Sequence, residues 1–338
     1  MTRYILLITL LSILCFQSPA NAAEQQAVSI TGAVEQELSL SQDDLQSLQS
    51  VTVQGNGVLH GGDFRGVFTY RGVPLRHLLR MAGIKKTEPT FNKPVDLGVL
   101  ATSTQGEHVA LSWGEIFFQT QSPVIVALSA KPVLPKKDCS SCHKPSTFEP
   151  RLQQYERAIG FPKLVIPSDT YADRYLEDLA SLRVVQPEAP QGDREAELHA
   201  AAFTVAGKVA RKKTFRDLSH LERRTVRAVH LGEGRGYHGI DTFSGFLLRQ
   251  ALEPARPKAD IRSVFLVRAP DGYQALFSYG EVFLRSPGQG FLLADRENGK
   301  DLEKGGEYFL ISPQDKMADR WVKAVQAIEV LSLPDMVR

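Results

Sequence analysis

Pro167-Ser-Asp169-Thr-Tyr-Ala172-Asp173-Arg174-Tyr175 returns 146 positions later as Pro313-Gln-Asp315-Lys-Met-Ala318-Asp319-Arg320-Trp321. The proline, two aspartates, Ala-Asp-Arg and a closing aromatic residue recur in one order, and matches continue on the N-terminal side. Val28–Val34 pairs with Phe203–Val209, and Ser41–Leu48 with Thr214–Leu221. Tyr70-Arg-Gly72-Val73 pairs with Tyr237-His-Gly239-Ile240, a step of 167, and a helix is predicted after each, over Leu75–Ala82 and Phe243–Leu252. Turns at Thr104-Gln-Gly106 and Pro270-Asp-Gly272 separate β-rich runs in each half and predict hairpins. Trp113-Gly-Glu115-Ile-Phe117 pairs with Tyr279-Gly-Glu281-Val-Phe283, a step of 166. Ordered matches across the whole length predict two copies of one domain.

Each copy mixes strands with short helices, so the fold class is α+β. The expected organisation is a signal peptide over 1–22, a first domain over 23–186, a linker over 187–201 and a second domain over 202–338. Pro187-Glu-Ala-Pro-Gln-Gly-Asp193 has the composition of a boundary. Asp173-Arg174 and Asp319-Arg320, recurring together, read as charge pairs stabilising each copy, and Arg211-Lys-Lys213 as solvated surface.

The chain begins Met-Thr-Arg3-Tyr, runs through an apolar stretch from Ile5 to Phe16 and reaches Ala20-Asn-Ala22. This is the pattern of a secretory signal cleaved after Ala22. The stretch is shorter than the roughly 20 residues a spanning helix needs. The expectation is a soluble, periplasmic protein without a transmembrane segment. With 40 Lys+Arg against 38 Asp+Glu, the chain has no net electrostatic drive toward nucleic acid. Cleavage would leave two of its three cysteines, Cys139 and Cys142.

Val51-Thr-Val-Gln54-Gly55-Asn56-Gly57, Tyr70-Arg-Gly-Val-Pro-Leu75, Lys131-Pro-Val-Leu134 and Gly160-Phe-Pro162-Lys-Leu-Val-Ile-Pro167 carry a resemblance. The second copy contributes Asn298-Gly-Lys-Asp-Leu302 and Gly305-Gly306-Glu-Tyr-Phe-Leu-Ile-Ser-Pro313. Together they resemble the molybdopterin-binding domain of the sulfite oxidase family, which implies two tandem copies of that fold, with mixed sheets and short helices. The resemblance would place the family's metal-binding thiolate directly after Gln54, where Gly55 stands, and no Cys lies in Thr225–Gly236 of the second copy. Molybdenum requires that soft anionic ligand, so a molybdenum cofactor is not expected. The family's arginine near the cofactor is matched by Lys163 in one copy and by Glu307 or Tyr308 in the other.

From Leu134 to Gly160 the chain advances 26 positions, but from Leu302 to Gly305 only 3, so the first copy holds an insertion over 135–159. Inside it lies Cys139-Ser-Ser-Cys142-His143, the spacing of covalent haem c attachment. Two thiols add to the haem vinyl groups, and the adjacent imidazole of His143 falls beneath the iron as proximal ligand. A disulfide between Cys139 and Cys142, a thiol-exchange pair and half of a zinc site compete. Zinc lacks a second ligand pair nearby, and a simple disulfide leaves His143 unexplained. The distal ligand must come from elsewhere. Met81, Met317, Met336, His77, His108, His199, His220, His230 and His238 are available, with Met81 expected in the core. His60, in the loop Gly57–Gly62 beside the family's metal position, is preferred.

The functional expectation is an exported mono-haem cytochrome c that passes electrons to a redox partner protein, a carrier or redox subunit rather than a self-contained catalyst. The alternative is a non-catalytic periplasmic binding or assembly module with a structural Cys139–Cys142 disulfide. A molybdopterin-dependent oxidoreductase needs a ligand the sequence lacks.

Overall fold

The computed structural model describes residues 28–86, 91–119, 122–134, 155–188, 197–232, 236–286, 290–302 and 306–337. The signal region, most of the insertion with Cys139, Cys142 and His143, and the centre of the linker lie outside the described residues.

In the N-terminal half the elements are β1 (Val28–Gly32), β2 (Leu38–Leu40), α1 (Gln42–Ser47), β3 (Val51–Val58), β4 (Phe64–Pro74) and α2 (Leu75–Ala82). They continue with β5 (Gly98–Ser103), β6 (His108–Ser112), α3 (Trp113–Phe117), β7 (Ile125–Pro132), β8 (Lys163–Val165) and β9 (Leu179–Val185). The C-terminal half opens with β10 (Phe203–Gly207), β11 (Lys213–Phe215), β12 (Arg223–Gly232), β13 (Gly236–Leu247) and α4 (Leu248–Leu252). After these come β14 (Ser263–Arg268), β15 (Gln274–Ser278), β16 (Leu292–Glu297), β17 (Lys300–Asp301), β18 (Phe309–Ile311) and β19 (Ala327–Ser332). Mixed sheets with few short helices make the molecule predominantly β and consistent with the α+β class.

One sheet runs β2-β1-β9-β5-β6 and a second β11-β10-β19-β14-β15, the same order position for position. In each, the first long strand pairs in parallel with the last, β1 with β9 and β10 with β19, and every other pairing is antiparallel. The other sheets run β3-β4-β7-β8 and β12-β13-β16, the latter with β17 and β18 both pairing with β16.

Register corrects one sequence match. The bulge at Gly72 has its counterpart at Gly245, not Gly239: each interrupts the pairing of its long strand with the next, β4 with β7 and β13 with β16. Each glycine is enforced by close backbone, since a Cβ at Gly72 would stand 2.1 Å from the Val126 carbonyl oxygen and one at Gly245 2.1 Å from that of Leu293. Tyr70 therefore corresponds to Phe243, and Phe243–Leu247 is strand, with the helix starting at Leu248. The same register sets Lys163, opposite Ala127, against Phe309, opposite Ala294, rather than Glu307 or Tyr308.

Ser41 caps α1 in a reciprocal box with Asp44. On α2, Leu75, Leu78, Leu79 and Ala82 form the buried face. Met81 falls between them and is exposed, not in the core. β5 and β14 are buried on both faces, which explains their unbroken apolar runs. Val99 and Ala101 enter the N-terminal core and Phe265 and Val267 the C-terminal one. From the opposite faces Leu100, Val264 and Leu266 meet Ala110, Leu276 and Leu333 in a cluster joining the halves.

Around that cluster the ion pairs repeat. Ser112 and Glu115 form a capping box at the start of α3, and Ser278 and Glu281 make the same exchange. Arg174 binds Asp169 through two 2.7 Å bonds, Glu115 at 2.8 Å and, across the interface, Ser278 at 3.0 Å. Arg320 binds Asp315 through two 2.7 Å bonds, Glu281 at 2.9 Å and, across the interface, Ser112 at 3.2 Å. These contacts replace the expected Asp173–Arg174 and Asp319–Arg320 pairs. Asp173 accepts from the His60 backbone N–H at 2.9 Å, and Asp319 binds Lys93 at 2.7 Å. Neighbouring residues on an irregular turn point apart, so adjacency in sequence did not mean pairing.

Candidate functional site

On the β3-β4-β7-β8 sheet, β4 contributes Tyr70, β8 contributes Lys163, and the segment after the Ala172–Arg174 turn contributes Tyr175 and Glu177. These side chains line a cavity of about 390 Å³ whose rim includes Arg65, His108, Arg157 and Asp173. The Lys163 ammonium is buried and lies 5.0 Å from the Tyr70 ring centre and 5.7 Å from that of Tyr175. It donates to Glu177 at 3.0 Å and to the Tyr70 hydroxyl at 3.2 Å. Glu177 also accepts from Arg157 and from the Gly160 N–H at 3.1 Å.

Burial shifts each group. It pushes the Lys163 ammonium below its ordinary range, with Glu177 opposing, and drives the Tyr70 phenol up to about 12. The Tyr175 phenol rises for the same reason. Burial alone would raise Glu177 too. Hydrogen bonds from Arg157 and the Gly160 N–H, with the charge of Lys163, instead hold it at about 2. The site is thus a set of mutually compensated ionisable groups, Tyr70 and Lys163 buried and Tyr175 and Glu177 half-buried.

The C-terminal half holds a matched cavity of about 310 Å³ lined by His230, Tyr273, Phe309, Asp319, Trp321 and Lys323, among others. Phe243 stands for Tyr70, Phe309 for Lys163, Trp321 for Tyr175 and Lys323 for Glu177. Phe243, Phe309 and Trp321 pack edge to face at 5.2–5.9 Å.

The cavity also bears on molybdenum. Where the resemblance would place a thiolate, a Cβ on Gly55 would lie 2.8 Å from the Tyr70 ring and 3.0 Å from that of Tyr175. A side chain at position 55 would therefore require one or both of these rings to shift. The register equivalent in the other half is Ala228, opposite Asp241 as Gly55 is opposite Phe68.

Of the expected haem residues, His60 lies within the described chain. It is exposed at the tip of the β3–β4 hairpin, its ring edge-on to Tyr171 at 4.9 Å. The insertion leaves and re-enters at the same end of the sheet. The Val133 N–H donates to the Val67 carbonyl at 2.8 Å as the chain departs from β7. Tyr155 packs on return against Phe64 at 6.3 Å and Phe68 at 5.5 Å. The strand that follows the His60 loop thus meets the described ends of the insertion at Phe64, Val67 and Phe68. Glu177, Arg157 and Tyr175 were not singled out from sequence. Only the Tyr175–Trp321 match marked their neighbourhood, and nothing local links Arg157 to Glu177.

No family model matches the chain and no curated protein matches it. Among solved structures it is similar to the crystal structure of the sulfane dehydrogenase SoxCD from Paracoccus pantotrophus. The match has 14% identity over 90% of this chain and 78% of that chain, at a TM-score of 0.34. A likeness at that level carries no argument about fold or activity. Among the described residues no helix is long and apolar enough to cross a membrane.

Proposed function

We propose that the chain is an exported mono-haem c-type cytochrome that transfers single electrons to and from a redox partner protein. In this reading it is built on two tandem sulfite oxidase-like halves without a metal thiolate. The observation that carries it is Cys139-Ser-Ser-Cys142-His143 within an insertion present in one half only. Haem would supply Fe(III)/Fe(II) cycling, and the protein would set its potential and present it to the partner. Cys139 and Cys142 would hold the group covalently, and His143 would ligate from the proximal side. His60 is the proposed distal ligand, supported by its exposure and by the strand after its loop, which meets the described ends of the insertion.

A periplasmic location follows from the signal sequence and suits covalent haem attachment. The test is denaturing electrophoresis with haem staining of protein matured alongside a haem-attachment system. Staining in the wild type, lost in Cys139→Ala and Cys142→Ala, is the expected result. An unstained wild type would reject the cytochrome and favour the disulfide-bearing binding module. For the distal ligand, the wild type should be low-spin and His60→Ala should move it toward high-spin. A spectrum unchanged by His60→Ala would remove His60 from the iron.

A further inference from the structure

The C-terminal half lacks both the haem motif and a counterpart of the Tyr70–Lys163–Glu177 set, yet it is bonded to the segment that holds His60. We propose that it serves as a brace, fixing the Asp169–Arg174 segment so that Asp173 holds the His60 loop in place. The role of His60 toward haem rests on the cytochrome reading; the brace itself does not.

Two cross-half contacts pin the segment. The Thr170 N–H donates to the Leu284 carbonyl at 2.8 Å, and Arg174 donates to Ser278 at 3.0 Å. The Arg174 guanidinium also lies flat on Gly280, where a Cβ would stand 2.0 Å from its central carbon. Arg174 has no exposed surface; its own half holds it through Asp169 and Glu115, and the far side of the interface adds Ser278 and the close fit against Gly280. Asp173 precedes it and its carboxylate accepts the His60 N–H at 2.9 Å. The His60 ring also meets Tyr171 of the same segment edge-on at 4.9 Å. Gly61 and Gly62 have nothing within 4 Å of an added Cβ, and two backbone bonds, Leu59 to Asp63 and Gly62 to Leu59, close the turn. Asp173 is therefore a positioning residue.

The molecule contains its own control. Lys316 N–H donates to the Phe118 carbonyl at 2.8 Å, and a Cβ on Gly114 would lie 2.2 Å from the central carbon of Arg320. There the residue corresponding to Asp173 is Asp319, which binds Lys93 and not a hairpin tip. Gly280→Ala thus acts on the Arg174 guanidinium itself, whereas Gly114→Ala acts on Arg320 and reaches Arg174 only through the neighbouring Glu115.

The experiment is amide hydrogen exchange on the full chain, with haem spin state as a second readout. Gly280→Ala should accelerate exchange at His60 by about tenfold, the scale of one lost hydrogen bond, and Gly114→Ala should accelerate it much less. Asp173→Ala should reproduce the acceleration and Asp173→Asn should restore protection, since its amide oxygen still accepts. Where the glycine variants do not fold, Ser278→Ala, which removes a direct Arg174 partner, is compared with Ser112→Ala, which reaches Arg174 only through Glu115. Equal effects from both members of a pair, or no acceleration with Gly280→Ala or Ser278→Ala, would overturn the brace. If haem is present and His60 ligates it, Gly280→Ala should lower the low-spin fraction more than Gly114→Ala does. Accelerated exchange with an unchanged spectrum would keep the brace and reject His60 as ligand.

Discussion

The two matched cavities use one scaffold for opposite chemistries. In the N-terminal half Tyr70, Lys163, Tyr175 and Glu177 form an ionisable set bonded at 3.0 and 3.2 Å. At the same positions the C-terminal half places Phe243, Phe309, Trp321 and Lys323, three packed rings and an exposed ammonium. The backbone needs neither solution in particular. At these four positions charge pairing gives way to ring packing, and Arg157, in the described end of the insertion, belongs to the ionisable set.

The largest expected effect is at Glu177. Glu177→Leu strands the Lys163 ammonium, whose side chain is 4% exposed. Breaking a fully buried pair from one side costs roughly 3–5 kcal/mol; about 2–4 kcal/mol is expected here because Glu177 is partly solvated. Lys323→Leu, the matched change in the other half, should cost under about 0.5 kcal/mol, as surface substitutions do. Urea unfolding of both variants measures the contrast.

Acid titration sharpens it. Glu177 is held at about 2 in the folded chain, below its unfolded value near about 4.3. Its contribution is therefore present above about pH 4.3 and lost as pH falls toward about 2. Glu177→Gln should flatten the fall in Tm across that window, and an acid limb identical to wild type would show that the pairing does not act as described. A smaller effect than at Glu177 is expected from Tyr70→Phe, which copies Phe243. Loss of one 3.2 Å hydrogen bond from Lys163 should cost about 0.5–1.5 kcal/mol in urea unfolding.

Much of this scaffold is legible in the sequence because it rests on local rules. The Ser41–Asp44 box and the hairpins around Gly106 and Gly272 need only neighbouring residues. The register of β13 is not local. Tyr237-x-Gly239-Ile240 imitates Tyr70-x-Gly72-Val73 more closely than the true counterpart Phe243-x-Gly245-Phe246, and only the bulge against β16 distinguishes them. Partners of the charged residues are less legible still. Arg174 reaches Glu115 and Ser278, and Asp173 reaches back to His60, over separations that no spacing rule spans. The cysteine motif is the reverse case, since its chemistry is legible in five adjacent residues.

The most direct measurement is the intact mass of the mature protein, purified under denaturing conditions after export beside a haem-attachment system. The processed polypeptide plus one haem is the expected mass, with both Cys139 and Cys142 unavailable to alkylation. A mass equal to the bare polypeptide less two hydrogens, with Cys139 and Cys142 alkylated only after reduction, would contradict the cytochrome.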